Sequence, residues 1–240
     1  MSRKSKRNRP DTQAENASAP VKAAGTNSRR GLIAGLIVAV LVVALAVVAL
    51  RKQSATPDGS SDSSAALASE HAPTLGNADA RVHVVEFLDP ACETCAQFFP
   101  VVKQLIAENP GKIRLSTRHV AFHQGAEFAV RALEASRAQD KYWETLEALL
   151  ASQSSWAPHH TVQPDLVVPV LERVGLDMAR LRADMDSAEI TSRIERDRTD
   201  AITLKVTATP EYFVNGRPLP SFGYEQLLTL VREELDRAYR

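Results

Sequence analysis

Cys92 and Cys95 are the only cysteines in the 240-residue chain, and just two residues separate them. A dithiol at this spacing can exchange electrons with another disulfide. One sulfur attacks as the thiolate, and the second is close enough to resolve the mixed disulfide. The same spacing is half of many zinc sites, and His119 and His123 would supply an H-x3-H second half. Thiolates also hold Cu(I) well. Nothing else around these residues has the look of a small zinc module, so no metal is assigned. Two cysteines so close together also exclude a disulfide-stapled secreted scaffold, which needs more of them and further apart.

Thiol exchange requires a helix start at the pair. Placed there, backbone N–H groups and the helix dipole favour the thiolate of the first cysteine. The sequence meets that requirement. Val82–Leu88 is β-rich and nearly all apolar, as in a strand covered on both faces, and apolar residues at 98, 99, 102, 105 and 106 give one face of a following helix. Cys92 opens that helix and is the expected nucleophile; Cys95, about one turn in, is the expected resolver. Lys112–Val120 reads as a second strand. Helical periodicity then runs from Phe128 to Leu204. Glu211–Val214 and Arg217–Leu219 form a hairpin around Asn215-Gly216, and an amphipathic helix over Tyr224–Tyr239 ends the chain.

Phe87-Leu88-Asp89-Pro90-Ala91-Cys92-Glu93-Thr94-Cys95 after a strand, with Val206-Thr207-Ala208-Thr209-Pro210-Glu211-Tyr212-Phe213-Val214-Asn215-Gly216 near the end, resembles the DsbA-like branch of the thioredoxin superfamily. The resemblance covers about 76–240. It implies an α/β, thioredoxin-like fold with a helical insertion at about 124–203. It further implies that Pro210 is a cis-proline facing the cysteines, that Thr209 and Pro210 bind the substrate's extended backbone, and that Glu86 is a buried acid relaying protons to and from Cys95. Pro100 matches a helix-kinking proline. Glu93 and Thr94, between the cysteines, would tune the potential. At ~6 Å the Glu93 charge would cost a Cys92 thiolate about 0.7–2.8 kcal/mol. That penalty leans the reading towards a moderate-potential reductase or isomerase, with a disulfide-introducing oxidase and a tethered copper-binding module as alternatives. Exchange chemistry needs no flavin, nicotinamide or metal cofactor, because the Cys92–Cys95 pair is itself the redox group.

The zero formal net charge conceals an asymmetry. Residues 1–30 carry eight Lys/Arg against Asp11 and Glu15, whereas residues 76–240 carry nineteen basic and twenty-four acidic side chains. An acidic domain offers no footprint for nucleic acid. Residues 31–50 contain no charged or polar side chain, and twenty such residues in a helix span the ~30 Å hydrocarbon core. Basic residues before the segment outnumber those just after it, which predicts a cytoplasmic tail (1–30), a transmembrane anchor (31–50) and an exported domain (76–240). Residues 51–75, rich in Ser, Ala and Asp, read as a flexible tether. The expected partners are exported proteins bearing thiols or disulfides, and a redox partner in the same inner membrane that resets the pair.

Overall fold

The computed structural model describes residues 59–68 and 70–240. The tail at 1–30 and the anchor at 31–50 lie outside them. Among the described residues, no helix is long and apolar enough to cross a membrane.

A short helix, α1 (Gly59–Leu67), precedes β1 (Thr74–Gly76) and β2 (Val82–Leu88). The chain continues through α2 (Glu93–Glu108) into β3 (Ile113–His119). Helices α3 (Ala126–Ser136), α4 (Tyr142–Ala151), α5 (Gln153–Trp156), α6 (Pro164–Val174), α7 (Met178–Met185) and α8 (Ala188–Thr203) follow, with short 3-10 turns at Arg137–Gln139 and Pro158–His160. The hairpin β4 (Glu211–Val214) and β5 (Arg217–Pro218) then leads into α9 (Tyr224–Ala238). The five strands lie in the order β1-β3-β2-β4-β5. β2 and β3 run parallel, joined by α2 as a β-α-β unit, while the other neighbours are antiparallel. This is a thioredoxin-like sheet, with the helices from α3 to α8 inserted between β3 and β4.

Strand parity divides the core in two. On β2 the side chains of Val82, Val84 and Leu88 enter the larger cluster, which also holds Cys92, Cys95, Phe98, Tyr212 and Trp156. Val85 and Phe87 point the other way, into a smaller cluster with Val120, Ala201, Val206 and Phe213. Alternation places Glu86 on the cysteine side.

The tether expected over 51–75 needs correction from residue 59 onward. Ala66 of α1 is buried, and its carbonyl accepts from Arg118 Nη1 at 3.0 Å. The guanidinium of Arg118, itself fully buried, pairs with Asp197 through Nε and with Asp200 at 2.5 Å. His71 Nε2 meets Asp197 Oδ1 at 2.6 Å. Further along, Thr74 Oγ1 meets Ser116 Oγ at 3.0 Å where β1 pairs with β3. Composition measures how much apolar surface a segment can bury. This one docks through a backbone carbonyl, the side chains of Ala66 and Leu67, and a buried ion cluster that needs its partners.

Candidate active site

β2 ends at Leu88, and a tight turn leads into α2: the Cys92 N–H donates to the Asp89 carbonyl at 3.0 Å. Cys92 is the N-cap of α2, with extended backbone angles, so its sulfur sits where the helix leaves N–H groups unpaired. Both cysteines are free thiols; Cys92 keeps 6% of its surface exposed and Cys95 none. The cysteine with access to solvent is therefore the one expected to attack.

Opposite the pair stands the Thr209–Pro210 peptide, which is cis. Pro210 is buried and Thr209 half-buried. Cys92 Sγ donates to the Thr209 carbonyl at 3.2 Å. That bond favours the thiol, but stronger influences favour the thiolate. A hydrogen bond from the Cys95 thiol comes first, and it prevails over the cost of burial; contacts from the Thr209 side chain and the N–H groups of Cys95 and Thr94 add to it. Together they bring the Cys92 pKa down from 9.0 to about 5. Cys95 goes the other way. Burial pushes it well above its ordinary value, and its bond to Cys92 and the charges of Glu86 and Cys92 push in the same direction. Near neutral pH the pair holds one thiolate and one thiol.

Glu86 is fully buried on the cysteine side of β2, and its Oε1 accepts from the Tyr212 hydroxyl at 2.9 Å. Oε2 has no hydrogen-bond partner. Burial raises the Glu86 pKa from 4.5 to about 8; Tyr212 pulls it down, and the Cys92 charge pushes it up. A carboxyl of that pKa beside a high-pKa thiol can give or take a proton near neutrality.

The structure thus brings Glu86, Cys92, Cys95, Thr209 and Pro210 into one site. Thr94 takes part through its backbone. The Glu93 side chain is exposed, and its charge is not among the chief influences on Cys92. Solvent screens it, whereas the N–H and thiol donors touch the sulfur directly. His119 and His123 are engaged elsewhere. His119 Nε2 meets the Tyr142 hydroxyl at 2.7 Å, with Glu134 at 3.6 Å, while His123 Nδ1 lies 2.8 Å from Asp89 Oδ2. Among the described residues, no three His, Cys, Asp or Glu side chains are grouped to hold a metal ion. Sequence reasoning passed over Tyr212 and Asp89. The signal for Tyr212 was cross-strand register, since it lies directly opposite Glu86 in the β2–β4 pair.

Residues 68–233 match the family model described as thioredoxin. The chain is 31% identical over 165 residues to the Na(+)/H(+) antiporter NhaA of Herminiimonas arsenicoxydans, an alignment covering 69% of this chain and 26% of that protein. The chain therefore spans about a quarter of the length of that relative. It is 27% identical over 172 residues to disulfide bond formation protein D of Bacillus subtilis, covering 68% and 77% of the two chains. Among solved structures, a thioredoxin-like oxidoreductase from Silicibacter pomeroyi is 30% identical with a TM-score of 0.61, covering 70% of this chain and 94% of that one. Oxidised BdbD from Bacillus subtilis is 27% identical with a TM-score of 0.61, covering 69% and 93%. With its sheet order, helical insertion and paired cysteines, the chain belongs to the thioredoxin family.

Proposed function

We propose that Cys92 and Cys95 introduce disulfides into exported polypeptides. The observation that carries the oxidising direction is the stabilised Cys92 thiolate, which favours the reduced form of the pair and so makes its disulfide the stronger oxidant. The moderate, reducing character expected from Glu93 is weakened, because that side chain lies in solvent and its charge is screened.

In the forward reaction a substrate thiolate attacks the Cys92 sulfur of the Cys92–Cys95 disulfide. The S–S bond breaks, and Cys95 leaves with the electron pair and takes a proton. Glu86, neutral below about pH 8, supplies that proton. A second substrate thiolate then attacks the substrate sulfur of the mixed disulfide and expels Cys92 as a thiolate, a good leaving group at its low pKa. Two electrons pass from the substrate to the pair. Thr209 and Pro210, facing Cys92, orient the incoming backbone. In this proposal the segment at 31–50 anchors the domain outside the cytoplasm, and a disulfide-bearing or quinone-linked membrane partner reoxidises the pair.

Equilibration with glutathione tests the direction. The expected potential lies between about −180 and −120 mV, from isomerase-like to strongly oxidising, with rapid oxidation of a reduced, unfolded substrate. A value near the roughly −270 mV of thioredoxin would overturn the oxidising assignment.

A further inference from the structure

Asp89 is a buried carboxylate that pairs with no Lys or Arg among the described residues, and it is saturated with donors from two separate loops. Oδ1 accepts from Ala91 N at 2.8 Å, inside the turn that delivers Cys92. Oδ2 accepts from Phe122 N at 2.8 Å, from His123 N at 2.9 Å and from the His123 imidazole at 2.8 Å, all in the loop after β3. The side chain has no exposed surface. Its backbone touches both sulfur-bearing residues: the carbonyl holds the Cys92 N–H at 3.0 Å, and the N–H contacts the Cys95 thiol. Gln153 Nε2 grips the next carbonyl, that of Pro90, at 2.7 Å. The His123 ring in turn stacks on His160, with centroids 5.0 Å apart.

We infer that Asp89 is a positioning residue for the exchange reaction, a clamp that fixes the cysteine-bearing turn against the loop after β3 and so holds Cys92 over the first turn of α2. The inference rests on the proposed exchange chemistry. A buried carboxylate keeps its place only while its donors are in place. Four of them, split between two loops, leave the residue whose backbone meets both cysteines little freedom. Without the clamp the turn relaxes, Cys92 moves away from the N–H groups of Thr94 and Cys95, and its thiolate loses support. The groups that face Cys92 from the surrounding elements are the Cys95 thiol, the N–H groups of Cys95 and Thr94, and Thr209, while Glu86 is neutral where Cys92 titrates; none of them is altered by the substitutions below.

Ultraviolet thiolate absorbance, titrated in the reduced full-length protein, reads the effect. Asp89→Asn places an amide donor against N–H donors. The Cys92 midpoint should rise by about one pH unit or more, with alkylation near pH 4, below both midpoints, slowed roughly tenfold. His123→Phe, which removes one donor of the four, should shift the midpoint less and in the same direction. A purely structural role would lower the unfolding midpoint and leave the titration of the folded protein in place; that result overturns the inference. Should Asp89→Asn fail to fold, His123→Phe decides: a raised midpoint supports the clamp and an unmoved one refutes it. The titration requires no substrate. A wild-type protein that oxidises nothing would therefore sink the proposed function while leaving the clamp open to its own refutation.

Discussion

Replacing Glu86 with glutamine should change how the stability of the reduced protein depends on pH, and the two active-site shifts fix both sign and size. Glu86 has a folded pKa of about 8 against an ordinary 4.5, so from pH 4.5 to 8 the folded state keeps a proton that the unfolded chain has lost. Stability then falls with rising pH by about 1.4 kcal/mol per pH unit, or about 3 kcal/mol by pH 7. Cys92 has a folded pKa of about 5 against 9.0, so between those values the folded state has lost a proton that the unfolded chain keeps. Its contribution rises with pH at the same slope; it is complete above the unfolded value and gone below the folded one. Between pH 5 and 8 these two slopes cancel, leaving the reduced wild type with the rise that His83, lowered from 6.5 to about 4 by burial, and the buried His119 add below about pH 6.5. Glu86→Gln keeps an acceptor for the Tyr212 hydroxyl but removes the titration, so the Cys92 slope is no longer offset. Relative to wild type, the variant should gain stability by about 1.4 kcal/mol per pH unit over that range. Denaturant unfolding at several pH values, followed by the fluorescence of Trp143 and Trp156 with a phosphine reductant present, measures both curves. Parallel curves would refute the assignment of Glu86 as a buried neutral acid.

The remaining expectations concern kinetics and architecture. Cys95→Ser should accumulate mixed disulfides between Cys92 and substrates, detected on non-reducing gels, and Cys92→Ser should accumulate none; equal trapping would contradict the assigned roles. Glu86→Gln should slow expulsion of Cys95 by about 10²-fold near pH 7, the lower end for general acid catalysis, in stopped-flow oxidation of a model thiol. Arg118→Met leaves the buried Asp197 without its guanidinium and should cost about 3–5 kcal/mol in denaturant unfolding, with Arg118→Met/Asp197→Asn recovering part of the loss.

Much of this was legible because period-2 and period-3.6 patterns are written locally. Val82–Leu88 is the strand expected, Cys92 is the residue that opens α2, and Asn215-Gly216 forms the hairpin turn with both residues at positive φ, 48° and 81°. The residues missed are those whose roles depend on distant partners. Asp89 reads as a turn former before proline, and only the fold shows its carboxylate reaching Phe122 and His123. Arg118 sits in a strand of otherwise ordinary polarity, and its burial depends on two aspartates about eighty positions later in the chain. Glu93 failed in the opposite sense. Adjacency in sequence suggested a charge effect, but the side chain after the cap lies in solvent while the Cys95 thiol, Thr209 and the backbone N–H groups act on the sulfur.

Asn215 links the legible and illegible parts of the site. Beyond adopting the left-handed turn, it accepts from His83 N through Oδ1 at 2.8 Å and donates its own N–H to the His83 carbonyl at 2.8 Å. Its amide nitrogen reaches Glu234 of α9 at 3.1 Å. These contacts pin the end of β4 to the start of β2, and with that register Val84 faces Val214 and Glu86 faces Tyr212. A slip of one residue would turn every β4 side chain over, bringing Phe213 towards the cysteines and taking the Tyr212 hydroxyl away from Glu86. The proton-handling pair is therefore set by a turn residue far from the sulfurs. An asparagine that sequence reading assigns only to a hairpin also determines which hydroxyl meets the buried acid.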